Sequence, residues 1–407
     1  MLTALECLPL SEVSRRLERC RAFLAAFEPE AGGMLICSRP NIYYLTGTLG
    51  YGLVWVPREG EPVLLLRKGL ERARLESPLK HLVSFKSYKD IVPLCAEAGS
   101  PITPCIAVDK NGFSWSMAEM LQSRMTGMRF VACDTVLARA KAVKSAWELN
   151  KLRICGERHR KALDDVLPLR IHSGMSELDV AHIYTEVAFA CGDSGLIRMN
   201  AHGEENFFGY VSVGASSIYP TAYNGPLGSR GLHPAVPFMG DAGTIWKPGM
   251  LLATDLGFSV EGYITDKTQT YWSGSAASIP DAVQSAHEVC VNIYQRAVAA
   301  LKPGAIPATI WQDAAAFAAQ SGYKDTFMGF GSDRVPFLGH GVGLAMDEYP
   351  VFAAGFNEPL EEGMVVAIEP KISLPGLAMV GLEHTLEITA NGAHSLTGET
   401  LHIIPVE

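Results

Sequence analysis

Two apolar runs in the second half of the chain end on a carboxylate. Leu251-Leu252-Ala253-Thr254 leads into Asp255, and Met364-Val365-Val366-Ala367-Ile368 leads into Glu369. Such runs read as buried strands. An acid at the end of a buried strand is costly unless it is paired or bound to a metal. These two positions therefore constrain the surrounding fold more than any other feature. Gly262-Tyr263 marks a turn after the first run, and Ile264-Thr265-Asp266 opens a second strand, eleven residues beyond Asp255. A hairpin would bring both acids into one pocket, although either Asp taken alone reads first as a turn residue.

Two more segments carry ligand-type side chains. In Gly339-His340-Gly341-Val342-Gly343 a histidine sits among glycines, which lets backbone and ligand approach closely. In Gly381–Thr389 alternation places Glu383, Thr385 and Glu387 on one face and Leu382, His384, Leu386 and Ile388 on the other. Together the segments offer four carboxylates and one imidazole. Four carboxylates balance two divalent cations. Hard oxygen donors with a single nitrogen suit Mn²⁺, with Co²⁺, Fe²⁺ and Zn²⁺ as alternatives. Two such ions can share a hydroxide nucleophile and clamp a carbonyl oxygen.

At 407 residues the chain is long for one core and divides naturally into two domains, with the boundary near residue 140. A net charge of −9 leaves no basic footprint, which argues against a nucleic-acid partner. No basic segment followed by an apolar core opens the sequence, and no apolar run reaches the length of a membrane span. The nine cysteines contain no CxxC pair and read as reduced thiols, as expected for a cytoplasmic protein. Residues 1–140 alternate short strands with helices and read as a small α/β domain. Leu10–Phe27 is expected to be an amphipathic helix, Arg39-Pro40-Asn41 a turn, and Val54–Val56, Pro62–Leu66 and Ile106–Asp109 strands. In residues 141–407, Ser145 with Glu148 predicts a capping box, and Ser176 predicts a second helix start. Asn200–Gly249 is rich in Gly and Pro and reads as functional surface or lid.

The order Asp, eleven residues, Asp, then HGxG, then a Glu-Pro strand end, then a late strand Glu resembles the ligand order of the creatinase/methionine aminopeptidase/Xaa-Pro peptidase clan. The resemblance implies an α+β chain: a pita-bread catalytic domain over 141–407 behind a creatinase- or prolidase-like α/β domain over 1–140. It implies that Asp255, Asp266, His340, Glu369 and Glu383 hold two metals, with Asp266 and Glu383 bridging and Glu369 also serving as the general base. It further implies hydrolysis of a small molecule or short peptide in the manner of Xaa-Pro dipeptidase or aminopeptidase P, and a homodimer.

The chain departs from that pattern at three accessory histidines. Asp347 stands seven residues after His340, Pro336 four residues before it, and Thr221 follows Pro220 where a histidine is usual. An ionised Asp347 cannot donate a hydrogen bond. It can act as a base, bind a cation, or serve as an acid if its pKa is raised. His202, His233, Arg198, Thr221 and Tyr223 are the candidates for contacting substrate in compensation, with Arg198 and Arg230 suited to a carboxylate. The departures leave a second function open: a non-peptidase enzyme of the same fold, a C–N hydrolase or lyase, acting on a small cationic or betaine-like compound. A binding module that has lost catalysis is the third.

Overall fold

The computed structural model describes residues 3–200 and 204–407. The chain divides into two compact units, Met1–Lys141 and Ala142–Glu407.

The first unit is built on a six-stranded mixed sheet. Its spatial order is His81–Ser84, Val63–Lys68, Tyr51–Pro57, Gly33–Ile36, Cys105–Val108 and Arg129–Ala132. Leu35, Trp55, Leu65 and Ile106 from four of these strands are buried in one core. The amphipathic helix Leu10–Phe27 forms as its spacing predicts, with Val13, Leu17, Cys20 and Leu24 buried. Arg39–Asn41 is not a turn. It opens a helix, Arg39–Thr46, with proline in the first turn. Proline lacks only an N–H that would be orphaned there anyway, and its fixed φ suits helix entry.

The second unit holds two sheets. One has four strands in the order Ile404–Val406, Tyr263–Ser273, Leu251–Val260, Gly209–Val213. The other has five: Glu348–Ala353, Phe337–Gly341, Val365–Ile368, His384–Thr389, Gly392–Ser395. Ala146–Arg160 and Glu177–Ala190 pack on the first sheet, over Leu252, Leu256, Phe258 and Tyr271. Asp281–Ala300 and Pro307–Gln320 belong to a second core with Val366, Ile368, Phe352 and Ile372. Both helix starts carry reciprocal caps. Ser145 accepts from the Glu148 amide and Glu148 from the Ser145 amide, and Ser176 and Asp179 do the same.

The sheets meet through polar contacts beside the acids. Thr385 Oγ1 accepts from the Asp266 amide and donates to the Asp266 carbonyl, both at 2.9 Å. The Glu383 amide donates to the Thr268 carbonyl at 3.2 Å. Among the described residues no helix is long and apolar enough to cross a membrane, and all nine cysteines are free.

Candidate metal centre

The hairpin Leu251–Val260/Tyr263–Ser273 pairs Asp255 with Thr268 and Gly257 with Asp266. Asp255 and Asp266 are thus diagonal neighbours on one face. In the other sheet His340 pairs with Ala367 and Gly339 with Ile368. Glu369 follows directly, its amide donating to the Leu338 carbonyl at 3.0 Å. A Cβ on Gly339 would lie 2.0 Å from the Ala367 carbonyl oxygen, so only glycine allows this close pairing beside the histidine. Glu383 lies just before His384–Thr389 and completes the group.

One donor atom from each of Asp266, His340 and Glu383 lies within 4.8 Å of the others, and the same holds for Asp255, Glu369 and Glu383. His340 Nδ1 faces the Gly341 carbonyl at 3.1 Å. With the proton on Nδ1, Nε2 presents its lone pair to Asp266 Oδ2 and Glu369 Oε1, each 3.8 Å away. Glu383 is 1% exposed, yet its Oε1 has no hydrogen-bond partner. A buried, unpartnered carboxylate oxygen on a residue clustered with a second carboxylate and an imidazole fits a divalent cation. The trio Asp266, His340 and Glu383 can hold one.

The second trio is different, because a residue that the sequence reading passed over sits in it. Lys371 is fully buried, and its Nζ lies 2.7 Å from Glu369 Oε2, 3.2 Å from Asp255 Oδ2 and 3.2 Å from Glu383 Oε2. Burial alone would push the ammonium's pKa down; the carboxylates of Asp255, Glu369 and Glu383 outweigh it and hold the group well above an ordinary lysine. Burial, reinforced by neighbouring carboxylates, raises the carboxyls of Asp266 and Glu383 well above the usual range. With the ammonium in place, Asp255, Glu369 and Glu383 do not fit a second divalent ion.

These acids form the floor of a pocket of about 280 Å³. Its walls include Phe208, Tyr210, Tyr223, Glu204 and Asp347. Asp347 accepts from the Asn200 amide. Its loop is held by buried Glu348, which accepts from the Leu344 and Ala345 amides at 3.1 and 3.3 Å. Glu204 was not singled out in the sequence. Burial and the neighbouring Asp347 push its carboxyl up.

The remaining candidates divide. Tyr223 lines the pocket, packs on Tyr210 with ring centroids 5.7 Å apart, and donates to the Glu205 carbonyl. Thr221 accepts from the Tyr223 amide at 3.1 Å and is not among the described residues that line the pocket. Arg198 donates to the Gly262 carbonyl in the hairpin turn at 3.2 Å and is not among the described residues that line the pocket. His233 is exposed and accepts from the Ala235 amide within its own turn. Arg230 lies over the Tyr219 ring near Asp241. His202 lies outside the described residues. His384 faces Lys267, Thr397 and the Thr400 carbonyl rather than the acid cluster, as alternation predicts.

Residues 150–390 match the model of metallopeptidase family M24, and residues 16–143 that of the creatinase/prolidase N-terminal domain. The chain is 28% identical over 388 residues to the Xaa-Pro dipeptidase of Pyrococcus furiosus, covering 95% of this chain and 98% of that protein. It is 32% identical over 304 residues to the Xaa-Pro dipeptidase of Lactobacillus delbrueckii subsp. lactis, covering 74% and 73%. The fold superposes on the crystal structure of a prolidase from Pyrococcus horikoshii with a TM-score of 0.77, at 23% identity over 96% of this chain and 99% of that one. With its creatinase-like N-terminal domain and its pita-bread domain carrying the acid-and-histidine floor, the chain belongs to metallopeptidase family M24 and is a metal-dependent hydrolase.

Proposed function

We propose that this chain hydrolyses a dipeptide-sized amide in the pocket above Asp266, His340, Glu369 and Glu383. The observation that carries the reading is the buried Glu383 Oε1, which has no hydrogen-bond partner, on a residue clustered with Asp266 and His340 at the floor of that pocket. Asp266, His340 and Glu383 would hold a divalent cation, for which the donor chemistry favours Mn²⁺; when bound it would supply Lewis acidity toward a carbonyl oxygen and make water more acidic.

The residues around it have separable roles. Lys371 engages Glu369 Oε2, which leaves Oε1 to the pocket side as the atom that takes a proton from the attacking water and passes it to the leaving amine. Glu204 and Asp347 place negative charge on the walls, and Tyr210 and Tyr223 add aromatic faces. That lining suits the free ammonium of a dipeptide's first residue.

The same lining favours one second reading. Among the described residues, no Arg or Lys lines the pocket to receive a peptide's terminal carboxylate. A non-peptidase activity on a small cationic or betaine-like compound fits the walls as well. The deciding experiment assays Mn²⁺-loaded protein against Xaa-Pro and other dipeptides and against quaternary-amine amides, before and after chelation. Chelator-sensitive dipeptide cleavage is the expected result. Turnover of the cationic compounds alone selects the second reading, and activity untouched by exhaustive chelation defeats both.

A further inference from the structure

The five ligand-type residues match two divalent ions in charge, but one of the two cation positions is already taken by a side chain of the protein itself. We infer that Lys371 is a built-in replacement for the second metal and that the centre binds one divalent ion per chain. The inference rests on the metal-hydrolase reading above.

The oxygens divide cleanly. An ammonium has three N–H donors, and Lys371 Nζ has three carboxylates in reach: Glu369 Oε2 at 2.7 Å, Asp255 Oδ2 at 3.2 Å and Glu383 Oε2 at 3.2 Å. Thr268 Oγ1 also donates to Glu383 Oε2, at 2.9 Å. On the His340 side this leaves Glu383 Oε1, the Asp266 carboxylate and His340 Nε2, with Glu369 Oε1 beside them as the proton acceptor. They form one ligand set, for one ion. Two metals would need the oxygens that Lys371 holds, and an ammonium and a divalent ion cannot share them in one dry site.

The lysine is anchored where it stands. Lys371 opens the strand Lys371–Leu374 and pairs with Gly381 at the end of Ala378–Gly381. A Cβ on Gly381 would lie 2.8 Å from Lys371 Cγ, so the missing side chain makes room for the lysine stem. The glycine and Glu383 are two residues apart, and Glu369 and Lys371 likewise. One short hairpin thus carries the cation and two of the three anions around it.

The test counts Mn²⁺. Full-length protein is loaded with Mn²⁺ and desalted; the bound metal is measured by mass spectrometry and its EPR spectrum recorded. Wild type should hold one ion with the spectrum of isolated Mn²⁺. Lys371→Ala, which removes charge and bulk, should hold two with an exchange-coupled spectrum, while Lys371→Met, which keeps the bulk, should stay at one. Two ions or a coupled spectrum in wild type would overturn the inference and leave the metal-hydrolase reading standing. A folded Lys371→Ala protein that still binds one ion overturns it as well. No tight Mn²⁺ in wild type defeats both readings together. The wild-type spectrum alone decides if Lys371→Ala fails to fold.

Discussion

The two units of this chain bury acids in opposite ways. In the first, Asp109 is 1% exposed and stands without a basic side chain among its hydrogen-bond partners: it accepts from the Cys37 and Ser38 amides at 2.8 and 2.9 Å and from Asn41 at 3.4 Å. In the second, Asp255, Asp266, Glu369 and Glu383 converge on Lys371 and His340, Thr268 donates to Glu383 Oε2, and Glu383 Oε1 has no hydrogen-bond partner. A single buried carboxylate can be satisfied by peptide dipoles that the fold already exposes at a strand end. Four in one place cannot, because each raises the cost of ionising the next and only cations relieve it. The first arrangement holds a loop in shape; the second holds charge ready for chemistry.

The sharpest way to break that contrast is Glu369→Gln. The variant keeps one carbonyl oxygen, which can still accept from Lys371, and replaces the other carboxylate oxygen with an NH2 that cannot take a proton. Turnover should fall about 10²–10⁴-fold with metal content unchanged, as expected for loss of a general base. A loss under about tenfold with metal retained would move the proton shuttle elsewhere, with Asp347 the next residue to test.

A smaller effect is expected on the pocket wall. Asp347→Asn keeps the shape of the loop and an acceptor for the Asn200 amide but removes one negative charge beside Glu204. KM for a substrate with a free ammonium should rise about tenfold, matching the 1–2 kcal/mol of a charge-assisted contact, with metal content intact. An unchanged KM would remove Asp347 from substrate binding and leave it a loop residue. The Glu204 carboxyl should also titrate closer to its ordinary value in this variant, because the neighbouring charge is gone.

The smallest effect concerns Asp109. Burial pushes its carboxyl up to about 7, against amide donors that pull it down. The unfolded chain has an ordinary aspartate near about 3.9. Between these values the folded protein holds the extra proton, so this contribution to stability is complete below about pH 4 and is lost as pH rises toward about 7. Asp109→Asn cannot ionise and should gain stability relative to wild type between pH 5 and pH 7.5, on the order of 1–3 kcal/mol. Thermal unfolding of both full-length proteins at the two pH values measures the difference. A difference independent of pH would mean that the amide donors keep Asp109 ionised throughout. Turnover should not respond to this substitution, in contrast to Glu369→Gln.

Much of the acid-and-histidine cluster was legible before any fold was known. Asp255 and Glu369 each follow an apolar run, a local anomaly that needs no tertiary context to notice, although Asp255 and Asp266 prove to lie inside the paired strands Leu251–Val260 and Tyr263–Ser273 and only Glu369 and Glu383 flank strand ends. The capping boxes at Ser145 and Ser176 are equally local, since a cap and its partner lie three residues apart. Arg39–Asn41 misled because proline suits both a turn and the first turn of a helix, and the choice falls to the packing of Ile42, Tyr44 and Leu45 in the core.

What the chain's own letters determined, then, is the donor set: four carboxylates, one imidazole, and Asp347 where a histidine is usual. What only the tertiary structure decided is how that set is shared. Lys371 follows a Glu-Pro pair and reads as an ordinary charged strand residue. Its role exists only because the Gly381 pairing, the Asp255 strand and the Glu383 strand end bring three carboxylates within 3.2 Å of one ammonium. Glu204 and Asp347 meet in the same way, from segments far apart in sequence. Charge is written residue by residue, but the cost of burying it depends on distances, and distances belong to the fold.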